Sequence, residues 1–449
     1  AYHHPILPLA TRRDKRTEIR WGIQDFKRRF GRHPEGMWLP ETAADLETLE
    51  VLAGEGVQFT ILAPHQVRGK PPRGRPGRIR TATGESLTVV PYRGDLSHAV
   101  AFGDALRDAE GWAELLVQVG GGGDLCLLST DGETYGHHKK FGEMALAATL
   151  EKLDASVEVE LTNLAAYLAE HPATEEVELV SPSSWSCAHG VGRWKEDCGC
   201  RLDLRADTSQ AWRKPLRRAV SALAEELHTV FESKAEGIFE DPWEARDAYG
   251  EVVGVDEPSQ RRAWVEKRYP GSESEVDRAV QLLELERNAL RIFTSCAWFF
   301  DDLAGVEQVQ VLRYAARALE LAESLGGSAE ELRAVLLDAL STARSNESEP
   351  RNGRRFYLED VVPSVPATAY VAARRVAGLS APPGPWAAQV DGDRSRVTVT
   401  HAATGEAVRF EVENPSDHET PASPGSPAGV ELIDPDGRKF TVDPEAPWP

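Results

Sequence analysis

The stretch Leu125–Glu143, LCLLSTDGETYGHHKKFGE, runs apolar up to Asp131 and then crowds Glu133, Tyr135, His137 and His138 into one short turn. A second carboxylate is placed in the same way, since WLPE delivers Glu41 behind a short apolar run. HHPILPL contributes His4, and ILAPHQ contributes His65 and Gln66. Two carboxylates from different strands are what a general acid working with a nucleophile requires. Taken singly, each has a plainer reading. Glu41 could complement the dipole of the helix that follows it, and Asp131–Gly132 could be a turn and a cap. Both at matching strand ends, beside His4 and His65, point to a site. Trp38, three residues before Glu41, is either core or a platform for a sugar face. His137 and His138 open a helix, one facing the cleft and the other structural. His33 sits in a solvated turn.

The elements that must position these groups alternate. DKRTEIRWGIQDFKRRFG carries Ile19, Ile23, Phe26 and Phe30 at helical spacing and closes at Gly31. EGMWLPE reads as a short strand cut off by Pro40, and a helix follows through Leu46, Leu49 and Leu52. VQFTIL, SLTVV and DLCLLST read as strands, with residues 98–117 as helix between the last two. Short continuous apolar strands between amphipathic helices predict a parallel sheet covered on both faces, either a β/α barrel or an open doubly wound sheet. In such folds ligands bind beyond the carboxyl ends of the strands, where these ionisable residues gather. From about Ala211 long Ala/Leu/Glu/Arg segments predict a helical bundle. Residues 346–353 make a polar linker or loop. Beyond Val362 alternating pieces such as RVTVTHAATGEAVRFEVEN predict a small β region, with a Ser/Pro/Gly loop near residues 415–428.

With 449 residues the chain has room for two or three domains. A formal net charge of −21 disfavours nucleic acid or an anionic membrane as partner. The basic cluster Arg68–Arg80 is rich in Pro and Gly and reads as a surface loop. No apolar run reaches membrane-spanning length and no signal peptide is visible, an absence that means little in a chain whose native N-terminus is not visible; a cytoplasmic location is the expectation. The chain opens at Ala1 directly in structured sequence, so the natural N-terminus is expected to lie upstream. Cys126 and Cys296 stand alone in apolar runs and read as inert core residues. SCAHGVGRWKEDCGC groups Cys187, His189, Cys198 and Cys200, ligand types that suit structural zinc, although C-x-H…C-x-C is not a standard finger spacing. The alternative is a rigid loop presenting Trp185 and Trp194. VGGGGD precedes a strand rather than following one, so no organic cofactor is expected.

HHPILPL, FGRHPEGMWLPETA, GVQFTILAPHQ and STDGETYGHH together resemble glycoside hydrolase family 57. SSWSCAHGVGRWKEDCGC and FTSCAWFFDDLAGVEQVQVLRYAARALEL resemble a subgroup with an extra C-terminal domain of unknown function. The resemblance spans most of residues 1–345 and implies an α/β fold. It implies a partial (β/α)7 barrel over 1–180, a helical bundle over 181–361 completing the cleft, and a β-rich region over 362–449. It implies a retaining enzyme acting on an α-glucan or oligosaccharide: an amylase, a 4-α-glucanotransferase or a branching enzyme. By position Glu41 would be the nucleophile and Asp131 the acid/base, about 5–5.5 Å apart. His4 matches the second-motif histidine, and Trp185 and Trp194 match aromatic positions of the fifth motif. Trp38, His65, Tyr135 and His137 complete the expected substrate-binding set. The family's first motif, with its own histidine, is absent, which implies a chain starting near the third barrel strand with the first two missing; activity is then expected of the intact parent. Two competing readings remain: a metal-dependent polysaccharide deacetylase-like enzyme using Asp131, His137 and His138, and a glucan-binding protein without turnover.

Overall fold

A computed structural model describes residues 1–69, 75–120, 125–203, 207–255, 257–362, 367–380, 386–402, 404–413, 429–435 and 437–444. The expected loop at 415–428 and residues 121–124 of VGGGGD lie outside the described residues. The chain forms two compact units, Ala1–Trp194 and Lys195–Pro449.

The first unit opens with α1 (Arg12–Phe30), which starts where the Thr11 hydroxyl accepts from the Asp14 amide. It stops at Gly31, whose left-handed φ of 68° suits a residue without Cβ. β1 (Gly36–Met37) leads to the Glu41 turn, and α2 (Leu46–Gly54) is capped by Asp45 accepting from the Thr48 amide. There follow β2 (Phe59–Leu62), β3 (Val67–Arg68), β4 (Gly77–Arg80) and β5 (Ser86–Pro91). Next come α3 (Gly94–Ala101), α4 (Ala109–Gly120), α5 (Gly142–Asp154), α6 (Leu164–Glu170), β6 (Glu175–Glu176) and β7 (Glu178–Leu179). The sheet runs β1-β2-β5-β4-β6; β3 pairs separately with β7. β1, β2 and β5 are parallel as expected, while β4 runs antiparallel to β5. One core gathers Ile19, Leu39, Leu49, Leu52, Leu62 and Val89; a smaller one holds Leu96, Val100, Trp112 and Leu153. Lys15, almost wholly buried, reaches Asp45 and Glu47 and ties α1 to the start of α2.

Two expectations about elements are corrected. Residues 98–117 are not one helix: α3 and α4 are separated around Gly103, and Asp108 restarts the chain by accepting from the Gly111 amide. Leu125–Thr130 forms no strand. It is tied to the end of β5 where Arg93 N–H donates to the Leu127 carbonyl at 2.7 Å, and to α3 where Ser129 N–H donates to the Ser97 hydroxyl. Such isolated bonds anchor the segment without building a ladder.

The second unit carries α7 (Arg213–Lys234), α8 (Pro242–Val253), α9 (Pro258–Arg268), α10 (Glu273–Arg291), α11 (Cys296–Phe299), α12 (Val306–Ser324), α13 (Ala329–Leu340) and α14 (Gly353–Phe356). Leu216, Val220, Leu223, Leu227 and Phe231 make the buried stripe of α7. α10 begins with a capping box between Ser272 and Glu275 and is buried on all sides between Leu282 and Leu290. Burial on all sides encloses Glu284 and Glu286, which are matched by Tyr249, Arg287 and Arg246. The tail is not purely β, because the Ala-rich α15 (Ala367–Val376) precedes the strands. β8 (Trp386–Val390), β9 (Arg396–His401), β10 (Ala407–Val412), β11 (Val430–Ile433) and β12 (Lys439–Val442) form an antiparallel meander. Val397, Val399, Phe410, Val412 and Leu432 alternate inward against Ala369, Ala372 and Val376 of α15.

Candidate active site

Glu41 lies on a single 3-10 turn, Pro40–Thr42, just past β1. Both Glu41 (φ 57°) and Thr42 (φ 48°) adopt left-handed backbone, which costs about 1 kcal/mol or more for each residue with a Cβ. A buried set of bonds compensates that strain. Thr42 Oγ1 donates to Gln66 Oε1 at 2.8 Å, and Gln66 Nε2 donates to the Thr42 carbonyl at 2.8 Å and to Ser183 Oγ at 3.1 Å. Ala44 and Ser183 exchange both backbone bonds, at 2.9 and 3.1 Å. The loop after Ser183 is thereby brought over the carboxylate. Trp185 Nε1 and Ser186 Oγ both donate to Glu41 Oε2, at 2.9 and 2.6 Å. One carboxylate oxygen is held by two donors, and its rotation is fixed.

Asp131 leads the turn Gly132–Thr134, and its side chain makes no capping bond there. The turn of the plainer reading is present, with Asp131 at its N-cap position, but the side chain does no capping. Asp131 is exposed at the surface, yet its carboxyl is held above the usual aspartate value, first because neighbouring protein displaces part of its water, then by the negative charges of Glu41 and Glu133. His138 pulls the other way. Tyr92, at the end of β5, is raised by burial and then by the charge of Asp131. Glu41, Asp131 and Tyr92 thus share one electrostatic neighbourhood. Beside it, an open cleft of about 430 Å³ beyond β2 and β5 is lined by Pro64, Val67, Pro91, Tyr92 and Arg93.

The remaining expected residues divide. Trp38 is 39% exposed, and its ring meets Trp185 edge-on at 5.2 Å, with Tyr92 at 6.3 Å from Trp185. Trp38 is thus an exposed ring packed against Trp185, the indole that bonds Glu41, and not a core tryptophan. His4 has a left-handed backbone (φ 58°), and its ring is partly open to solvent. Crowding nevertheless holds its pKa below the ordinary histidine value, against the pull of Glu41. His65 Nε2 meets the Ser184 carbonyl at 3.0 Å and so braces the loop that reaches Glu41. Tyr135 packs against the small core, its hydroxyl accepting from Thr130 Oγ1. His137 and His138 sit in a turn, and the helix opens only at Gly142. Of the two rings, it is His138 whose charge acts on Asp131, whereas His137 was the expected one. Trp194 has no exposed surface and offers no face to a sugar, in contrast to its expected role. Ser186 and Tyr92 were not expected in the site, and Gln66, named at a strand end, was given no role there. Tyr92 ends the strand SLTVVP and follows the same strand-end logic as Glu41. Cys187, His189, Cys198 and Cys200 bring one ligand atom each to within 4.8 Å of all the others.

Comparison with known proteins bears on this geometry. Residues 1–180 match the profile of glycosyl hydrolase family 57, and residues 209–380 match a domain of unknown function, DUF3536. Over its first 180 residues the chain matches glycosyl hydrolase family 57, and that match supports an enzyme of that type. Among solved structures it is similar to an exo-type maltose-forming amylase from Pyrococcus sp. ST04. The two are 17% identical over 82% of this chain and 71% of that one, with a TM-score of 0.58, so the fold is shared. An α-amylase from Thermotoga maritima is 14% identical, over 80% and 72%, at 0.48. A branching enzyme from Thermococcus kodakaraensis is 16% identical, over 81% and 71%, at 0.45. No curated protein matches the chain. Among the described residues no helix is long and apolar enough to cross a membrane.

Proposed function

We propose that this enzyme acts on α-glucans with retention of anomeric configuration, Glu41 serving as nucleophile and Asp131 as acid/base. The observation that carries the reading is the contrast between two carboxyls in one neighbourhood. Glu41 is fixed by two donors to a single oxygen, and Asp131 is held toward its protonated form by lost water and by the charge of Glu41. In the first step Glu41 attacks the anomeric carbon while Asp131 gives its proton to the departing glycosidic oxygen. In the second, the Asp131 carboxylate takes a proton from water or a sugar hydroxyl, which attacks the glycosyl–Glu41 ester and releases Glu41. Loss of the Glu41 charge on forming the ester removes one cause of the raised Asp131 pKa, which suits the residue's switch from acid to base. The exposed ring of Trp38, packed edge-on against Trp185, offers indole to the C–H face of a sugar ring. An α-glucan substrate is supported by the shared fold with a maltose-forming amylase and by the family motifs around both carboxyls. The same likeness supports reading the parallel β1, β2 and β5 as part of a (β/α)7 barrel, and the chain as parts 1–180, 181–361 and 362–449.

The test is product analysis with maltoheptaose and with amylose, on the full-length protein and on its Glu41→Gln variant. Turnover with retained configuration is expected, with a loss on the order of 10⁴-fold in the variant. Longer products or new branch points would mark transfer, and short sugars alone hydrolysis. A fluorinated glycosyl donor should leave its label on the peptide containing Glu41. Undiminished activity of Glu41→Gln would sink the assignment. The deacetylase-like alternative needs Asp131, His137 and His138 to converge as ligands, and among the described residues they do not form such a group. A binding protein without turnover has no need of a carboxyl held ready to donate a proton.

A further inference from the structure

The stretch Cys187–Cys200 is only fourteen residues long, yet it returns four soft ligands to one place. One Sγ each from Cys187, Cys198 and Cys200, and one ring nitrogen of His189, all lie within 4.8 Å of one another. Tetrahedral zinc with Zn–S bonds of about 2.3 Å sets its sulfurs about 3.8 Å apart, so the ligands need draw in by no more than about 1 Å. The backbone is shaped for the return. Gly190 takes φ 74°, where a Cβ would stand 2.7 Å from the Pro182 carbonyl oxygen, and Gly199, between Cys198 and Cys200, takes φ 80°. Ser184 Oγ holds the Gly190 carbonyl at 2.7 Å, and Arg213 Nη1 holds the Cys200 carbonyl at 2.7 Å, so both ends of the stretch are pinned. Cys187 is buried, His189 lies at the surface, and the other two are half-buried. A metal could therefore enter from solvent and remain shielded on the sulfur side.

We infer that Cys187, His189, Cys198 and Cys200 bind one structural zinc ion. Three thiolates and one imidazole close a tetrahedron with no open position, so this metal does no chemistry on substrate. Its effect is positional: Ser186, which donates to Glu41, is the residue directly before Cys187. Binding replaces three thiol protons with the ion, and the free energy released goes into ordering the stretch. The inference is independent of which sugar the enzyme cleaves, because the metal is read directly.

The protein is purified without a polyhistidine tag from zinc-supplemented medium and its metals are counted. One zinc per chain is expected, with loss of that ion in Cys198→Ser and in Cys200→Ser. Cobalt(II) added to chelated wild-type protein should give the visible ligand-field bands of a tetrahedral thiolate site, which requires no variant to fold. A chelator should lower Tm, and zinc but not magnesium should restore it. Absence of zinc together with a bandless cobalt spectrum would overturn the proposal. So would zinc retained in both variants, or a disulfide among these cysteines found by peptide mass spectrometry in freshly purified protein.

Discussion

At the residue scale, what separates the two carboxyls is their company. Glu41 meets the indole N–H of Trp185 and the hydroxyl of Ser186; Asp131 meets partial desolvation and two negative neighbours. Glu133 raises the Asp131 pKa and His138 lowers it, so the two neighbours can be separated by experiment. Removing the charge in Glu133→Gln should move the basic limb of kcat/KM to lower pH, because the acid deprotonates earlier. His138→Ala should move the same limb to higher pH. Neither residue donates to Glu41, and the acidic limb should stay in place. A pH–rate series on the three proteins checks this, and shifts of the same sign in both variants would refute it. A linked consequence concerns stability. A raised aspartate pKa favours the folded state below the unfolded value and costs stability as pH climbs through the folded one. Asp131→Asn should therefore raise Tm at neutral pH while cutting turnover about 10²–10⁴-fold.

At the element scale, the site depends on one buried amide. Gln66, fully buried, accepts from Thr42 Oγ1 and the Ala63 amide and donates to the Thr42 carbonyl and Ser183. It joins the strained turn after β1, the turn after β2, and the loop that carries Trp185 and Ser186. Gln66→Leu leaves these groups buried without partners and should cost about 1–3 kcal/mol. Because Glu41 then loses its fixed orientation, kcat should fall at least about tenfold with KM little changed, and urea denaturation with steady-state kinetics reads both. An unchanged kcat in a destabilised protein would confine Gln66 to a structural role. These elements differed in how far their sequences disclosed them. α1 and α2 carried apolar spacing, caps and a terminal glycine, all local signals, and β2 and β5 carried continuous apolar runs. Leu125–Thr130 had the same apolar look but no ladder partner, and partnership is set by distant chain. Glu41 and Asp131 were legible as candidates because each follows an apolar run. The bonding roles of Gln66 and Ser186 were not, since they lie in contacts 24 and 145 residues away in sequence. Trp194 was misplaced because an indole suits a binding face and a core equally well.

At the scale of the whole molecule, the two units answer to acid in different ways. In the first, Asp131 favours the folded state when protonated. In the second, α10 carries buried Glu284 and Glu286. Burial would push both carboxyls up, but Arg287, Arg261 and Tyr249 outweigh it for Glu284, which falls to about 2. For Glu286, His228 and Arg246 outweigh it in the same direction. A depressed carboxyl contributes stability that is complete above its unfolded value of 4.5 and is lost as pH falls through the folded one. For Glu284 the interval from 4.5 to about 2 corresponds to about 3 kcal/mol. The helical unit should therefore weaken steeply between about pH 4.5 and 2, and amide hydrogens of α10 should exchange faster across that window. In Glu284→Gln the slope should flatten, because the titrating group is gone. The same change should destabilise the unit at neutral pH by about 3–5 kcal/mol, since Arg287 and Arg261 lose their counter-charge. Hydrogen-exchange mass spectrometry on α10 peptides from pH 2 to 7 reads both effects. An α10 protection profile with the same pH slope in wild type and variant would show that Glu284 does not couple this bundle to acid.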